Sequence, residues 1–330
     1  MSADDRPGLR GFEPEWRDVP DYILGITKRI WEDRDFRSLD RYYADDMLLR
    51  VASGLYRGNR GATSKVLSTL SEFPDRRLLG EDVIWTEVGK DALFSSHRSL
   101  TVATHGGDGL FGPATGKPTA FRAIADCYAT ANAISDEWIV RDYGAVARQL
   151  GSTPRAFAER QIAEEGGVGR ASRPFLPADD EPGPYNGRGN DSEWGERHAD
   201  ILTRIMNADL RVIPEAYDRA CHLEYPGGRT AHSFEYADQF WIALRASFPS
   251  ATFTIDHRLG RDDPMMPPRS ALRWSLHGQH DGRGMFGAPT GAEVYIMGMS
   301  HAEFGPWGLR REWVLIDEIA VWKQILMHAG

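Results

Sequence analysis

Two aspartates each close an apolar run that reads as a strand, Trp138-Ile139-Val140-Arg141-Asp142 and Trp313-Val314-Leu315-Ile316-Asp317. Side chains alternate along a strand, so Trp138, Val140 and Asp142 share one face, and Trp313, Leu315 and Asp317 share another. If that face lies inside the domain, the carboxylates are poorly solvated. Their pKa then rises toward the range useful for proton transfer near neutral pH. On the preceding strand-like runs His301 shares a face with Met299 and Glu303, and Asp126 with Ile124 and Tyr128. A pocket lined by Met299, Trp138, Trp313, Tyr128 and Glu303, with one or two ionisable groups, has the make-up of a small-molecule site. The same residues admit plainer roles. Asp142 and Asp317 would serve equally well as caps of the helix that follows, His301 as a satisfied core or interface histidine, and the tryptophans as core.

Other polar groups carry less chemistry. His105 and His280 sit beside Gly-rich turns, where a hydrogen-bonded turn role fits better than catalysis, and no helix start follows those glycines to hold phosphate. His301 and Glu303 would offer a metal two ligands on one strand face, whereas zinc needs three or four, so no metal is expected. There is no dinucleotide fingerprint, P-loop or nucleophile elbow, and no cofactor is expected.

The elements that position these residues come in two copies. His105–Asp142 and His280–Asp317 align without a gap at an offset of 175 residues, matching Phe111-Gly112 to Phe286-Gly287, Thr115-Gly116 to Thr290-Gly291 and Glu137-Trp138 to Glu312-Trp313. Upstream, Ile26 and Ile30 fall on Ile201 and Ile205, Tyr42 on Tyr217, and Phe73-Pro74 on Phe248-Pro249. The first copy reads as a helix (22–31), a short helix (35–45), two short strands (47–52 and 55–57) and a third helix (61–73). Four long strands with antiparallel patterning follow, at 77–88, 92–104, 119–130 and 135–143. Residues 1–20 read as a loosely ordered arm, 21–151 as the first domain, 152–195 as a linker and 196–330 as the second domain. The linker opens with a helix capped by Ser152 or Thr153 with Pro154 in its first turn. The rest is Gly- and Pro-rich, and suits a surface-hugging connector better than a lid over an active site.

A chain of 330 residues with 41% hydrophobic and 26% charged residues has the composition of a two-domain globular protein. Its net charge of −9 argues against nucleic acid as a partner. No apolar run approaches the roughly 18–20 residues that span a bilayer, and the polar N-terminal stretch lacks the core of a secretory signal. Cys127 and Cys221 occupy non-equivalent positions, so neither a disulfide framework nor a cysteine metal site is expected, and a cytoplasmic location is the default.

Together Arg98, Thr104-His105, Phe111-Gly112, Thr115-Gly116, Asp126, Glu137-Trp138, Asp142 and Arg148-Gln149-Leu150-Gly151 resemble the SnoaL-like polyketide cyclase group of the NTF2-like (nuclear transport factor 2-like) superfamily. The second copy carries Arg273-Trp274, Gln279-His280, Phe286-Gly287, Thr290-Gly291, His301, Glu312-Trp313 and Asp317. The resemblance covers the chain outside residues 1–20 and 152–195. It implies an α+β fold: two tandem NTF2-like cone domains, each a curved antiparallel sheet wrapped around helices over an apolar pocket. It also implies that the copies pair through their outer sheet faces as an intramolecular pseudo-dimer, with further homo-oligomers possible. In the family an Asp on the last strand works as general acid/base with a His on the preceding strand. The matching residues are Asp317 with His301 and Asp142 with Asp126, and since only the second copy keeps the His/Asp pair, that copy is expected to be the reactive one.

The function expected is cofactor-free acid/base chemistry (cyclase, isomerase, dehydratase or hydrolase type) on a small, partly apolar carbonyl compound. Asp317 would take an acidic α-proton and His301 would hydrogen-bond the enolate oxygen. The rival is a non-catalytic small-molecule-binding or assembly protein, because a fold does not fix a function.

Overall fold

The computed structural model describes residues 6–329. Its first half contains α1 (Val19–Trp31), α2 (Arg37–Tyr42), β1 (Tyr43–Val51), β2 (Gly54–Arg57), α3 (Gly58–Glu72), β3 (Arg77–Val88), β4 (Ala92–Thr104), β5 (Pro118–Thr130), β6 (Ala133–Arg141) and α4 (Tyr143–Gln149). After α5 (Pro154–Glu164) the order recurs as α6 (Glu193–Met206), α7 (Val212–Ala216), β7 (Tyr217–Tyr225), β8 (Arg229–His232), α8 (Glu235–Ser247), β9 (Thr252–Arg261), β10 (Arg269–Gln279), β11 (Glu293–Gly305), β12 (Gly308–Ile316) and α9 (Glu318–Ala329). No helix among the described residues is long and apolar enough to cross a membrane.

The strands form two six-stranded sheets with identical orders, β2-β1-β6-β5-β4-β3 and β8-β7-β12-β11-β10-β9. The four long strands of each half pair antiparallel as their alternation implies, but β1 on β6 and β7 on β12 run parallel, so the sheets are mixed. Register also corrects one equivalence. Leu49 pairs with Glu137 and Leu223 with Glu312, so Tyr217 answers to Tyr43 rather than Tyr42, and the turn into β8 carries one extra residue.

Local chemistry fixes the element ends. Asp18 caps α1 by accepting from the Asp21 amide, and Thr153 caps α5 by accepting from Ala156 N with Pro154 in the first turn. His105 and His280 do hold turns: their Nδ1 atoms lie 3.0 and 3.2 Å from the Thr115 and Thr290 hydroxyls, and their carbonyls accept the amides of Gly116 and Gly291. The arm expected to be loosely ordered is packed from residue 6 onward. Leu9, Phe12 and Trp16 are buried, and Trp16 stacks edge-on against Tyr22 and Tyr42. Residues 1–5 lie outside the described part.

Each sheet is covered on both sides. Helices and the N-terminal arm lie on one face, and the other faces of the two sheets pack together. That central layer contains Phe94, Ile124, Trp138 and Val140 from the first sheet and Ala271, Met297, Met299 and Leu315 from the second. The linker takes part in it. Phe175 and Tyr185 are buried between the sheets, so the segment is a wedge rather than a surface connector.

Candidate active site in the first cone

Parity along β6 and β12 decides which residues can meet a ligand. Trp138 and Trp313 lie on the face turned toward the other sheet, and Glu137 and Glu312 on the face turned toward the helices. The orientation assumed for Asp126, His301, Met299, Glu303, Tyr128, Trp138 and Trp313 is therefore reversed. These side chains belong to the layer between the copies and not to a cone interior.

In that layer the two copies make reciprocal contacts. Arg98 lies 3.5 Å over the Trp313 ring, and its counterpart Arg273 lies 3.8 Å over Trp138. Arg273 also pairs with Asp126 at 3.6 Å, whereas Arg98 donates to Nδ1 of His301 at 3.0 Å and to Glu81 at 2.8 Å. An arginine can only donate, so Nδ1 of His301 is an acceptor and the ring proton sits on Nε2, which donates to Ser96 Oγ at 2.8 Å. Burial and the Arg98 charge hold the His301 pKa well below its usual value. Both of its nitrogens are thus engaged by the first copy. Tyr128 packs against the same layer, and Glu303 pairs with Arg311 at 3.3 Å across β11 and β12.

The aspartates end their strands as caps. Asp142 accepts from the Ala145, Gly227 and Gly228 amides at 3.0, 2.9 and 2.8 Å, and Asp317 from the Ile319 and Ala320 amides at 3.0 and 3.2 Å. Burial raises them to about 6 and about 7 respectively, against the lowering effect of those amides. The expected pairing of Asp317 with His301 is not formed, because each spends its hydrogen bonds elsewhere.

Replacing His301 by alanine should lower stability by roughly 1–3 kcal/mol, since Arg98 and Ser96 each lose a partner in a dry layer. Turnover should not change. Full stability with lost turnover, in denaturant melts and assays run side by side, would return this histidine to a catalytic role.

The helix-side face of the first sheet holds a different constellation. Between that face and α1, α2 and α3 lies a cavity of about 70 Å³, lined among others by Tyr43, Arg76, His97, Ser99, Glu137 and Arg141. One water occupies roughly 10–15 Å³ on this measure, so the space takes a small molecule and not merely one solvent molecule. Its apolar wall comes from Ile30, Trp31, Leu39, Leu49, Val66 and Ile139.

Glu137 is 6% exposed, and burial raises its carboxyl to about 7, opposed by the Arg141 charge and by the Cys127 thiol, which donates to Oε1 at 3.6 Å. Burial lowers His97 to about 4, and its Nδ1 has no hydrogen-bond partner. The ring is neutral at pH 7, with one donor and one acceptor nitrogen. Tyr43 is held protonated by burial and by Glu137. Arg76 is 5% exposed, stacks 4.1 Å over Trp31 and donates to Thr101 Oγ1 at 3.3 Å, while its Nε is unpartnered. Burial and the nearby Arg141 charge push it down to about 9.

The second cone is filled where the first is open. At equivalent positions Val66 becomes Trp241, Ser99 becomes Trp274, His97 becomes Leu272, Arg76 becomes Ala251 and Arg141 becomes Ile316. Trp241 and Trp274 are both fully buried. Gly298, where the first copy has Ala123, makes room for Trp274: a Cβ there would stand 2.2 Å from the indole. Glu312 remains, sealed in, accepting from Tyr217 at 2.9 Å and from Tyr225.

Among the described residues no three His, Cys, Asp or Glu side chains converge. Glu137, His97, Tyr43, Arg76 and Arg141 were all missed as site residues. The contrast between the copies at these positions is the signal that identifies them.

No protein-family profile matches the chain, and no curated protein sequence does. Solved structures do. IdmH from Streptomyces antibioticus, a candidate polyketide cyclase, is 21% identical over 40% of this chain and 97% of its own, with a TM-score of 0.35. A SnoaL-like polyketide cyclase from Agrobacterium tumefaciens is 20% identical over 40% of this chain and 97% of its own, TM-score 0.33. TsrD from Streptomyces laurentii is 19% identical over 40% and 96%, TM-score 0.34. Each spans about the length of one copy. The two halves of the chain are α+β units with the same six-strand order.

Proposed function

We propose that the first cone catalyses cofactor-free acid/base chemistry on a small, partly apolar carbonyl compound, with Glu137 as the proton-transfer group. The supporting observation is a carboxyl raised to about 7 that faces a cavity beside a neutral imidazole and two guanidinium groups. A general base works best with a pKa near the working pH.

In this reading ionised Glu137 takes a proton from the carbon next to the substrate carbonyl. The C–H electron pair moves into the carbonyl and forms an enolate. Arg141 and the N–H of His97 stabilise the oxyanion, more strongly than they hold the neutral carbonyl. The enolate then takes a proton back at another carbon, giving isomerisation, or attacks a second carbonyl of the same molecule, giving aldol-type cyclisation. The second domain contributes a packing surface for the first sheet, and its own cone is filled by Trp241 and Trp274.

The test is hydrogen–deuterium exchange in D2O, followed by NMR on a panel of small 1,3-dicarbonyl compounds. Wild-type protein should exchange the α-protons of at least one of them, and Glu137→Gln should not. Exchange that survives in Glu137→Gln but disappears in Asp317→Asn would move the chemistry to the cleft where Asp317 lies beside Lys323 and Tyr143. Binding without exchange would leave the cone a ligand carrier.

A further inference from the structure

The charges of the first cone do not balance. Five arginines are buried among the described residues: Arg50, Arg76, Arg98, Arg269 and Arg273. Arg50 pairs with Asp136, Arg98 with Glu81 at 2.8 Å, Arg269 with Asp82 and Arg273 with Asp126 at 3.6 Å. No carboxylate partner is found for Arg76 among the described residues. A buried charge left without a counter-ion is strongly unfavourable, and the usual solution in a folded protein is to pair it. Arg76 lines the cavity with its Nε free, and Arg141 and Lys65 add two more cations to the wall. The single acid facing them is Glu137. In the second copy the positions of Arg76, Arg141 and Lys65 hold Ala251, Ile316 and Phe240, so the cations vanish together with the cavity.

The geometry points to a carboxylate on the ligand: the first cone takes a small keto acid, whose carboxylate supplies the missing partner of Arg76 while the carbon next to its carbonyl faces Glu137. A planar guanidinium matches a planar carboxylate through two parallel hydrogen bonds. Trp31 and the aliphatic wall receive the carbon chain. This substrate class rests on the acid/base reading of the same cavity, but it concerns binding and is measured separately.

The experiment is calorimetric titration with 4-oxopentanoate, 3-oxohexanoate and their methyl esters, with inorganic phosphate as a further probe. At least one acid should bind at least about tenfold more tightly than its ester, as expected for a charge-assisted hydrogen-bond pair. Arg76→Met should abolish that preference and leave ester binding in place, which also shows that the variant is folded. Arg76→Lys should restore part of it, and Glu137→Gln should keep it. Equal binding of acid and ester, or phosphate binding more tightly than either acid, would overturn the inference. Should acid and ester bind alike while α-proton exchange still requires Glu137, the carboxylate falls and the acid/base reading survives. A strong preference for the acid with no exchange upholds the carboxylate and removes the acid/base reading.

Discussion

Glu137→Gln is expected to abolish proton transfer and, above neutral pH, to make the protein more stable. The first effect is the larger: losing a positioned general base lowers turnover by about 10²–10⁴-fold. The wild-type rate should rise through pH 7 as the carboxyl at about 7 ionises. The second effect follows from linkage. Burial raises Glu137 from its ordinary 4.5 to about 7, so the folded protein holds a proton that the unfolded chain releases. Its contribution to stability is complete below about 4.5 and is lost as pH rises through 7. At pH 8 the wild type then carries a penalty on the order of 3 kcal/mol that the amide does not. The groups facing Glu137 are Tyr43 on β1, Lys65 on α3, Arg76 before β3, His97 on β4, Cys127 on β5 and Arg141 on β6. All are present in both proteins. Thermal melts should therefore show the variant ahead of wild type at pH 8 and not at pH 4.5. A difference that does not change with pH would mean that the carboxyl is not desolvated.

Arg50→Ala should be the most damaging single change to the junction between copies, by about 3–5 kcal/mol. Arg50 is 1% exposed and Asp136 wholly buried, and the guanidinium also binds Asp180 and the Glu181 carbonyl while lying 4.5 Å over Trp138. Asp136 in turn accepts the Tyr185 amide at 2.9 Å. One side chain thus ties β1, β6 and the linker wedge together, and its removal leaves a carboxylate buried with little compensation. Urea melts would give the loss, and limited proteolysis would show new cleavage between Asp180 and Tyr185. Replacing both partners, Arg50→Met with Asp136→Leu, should recover most of the stability, because it strands no charge. A loss below about 1 kcal/mol in the single variant, with the wedge still protected, would contradict this role for Arg50.

The sequence carried the fold far. The strand limits 77–88 and 92–104 match β3 and β4, and the Gly-rich turns and the capped start of α5 lie where local hydrogen bonding dictates. It also carried the capping role of Asp142 and Asp317 as one of two readings. It did not carry the site. Choosing between Glu137 and Asp142, or between His97 and His301, requires knowing which face of the strand looks toward the helices. Alternation reveals that only when one face is wet. Here β6 and β12 each carry a continuous run of five buried residues, because helices cover one face and the other sheet covers the opposite one.

The difference between His301 and Asp126 attracted chemistry in the sequence because the two copies disagree there. Those residues turn out to be reciprocal partners of Arg98 and Arg273 across the junction. The informative disagreements were polar against apolar: His97 and Leu272, Ser99 and Trp274, Arg141 and Ile316.

The sequence by itself determined the duplication, the order of elements, the turns and the caps, all of which depend on residues close in the chain. Tertiary structure alone decided that the first cone is the open one and that the carboxylate lining it is Glu137. An open cone depends on side-chain volumes meeting from four or five separate elements, Trp241 against Trp274 in one copy and Val66 beside Ser99 in the other, and no local pattern sums them.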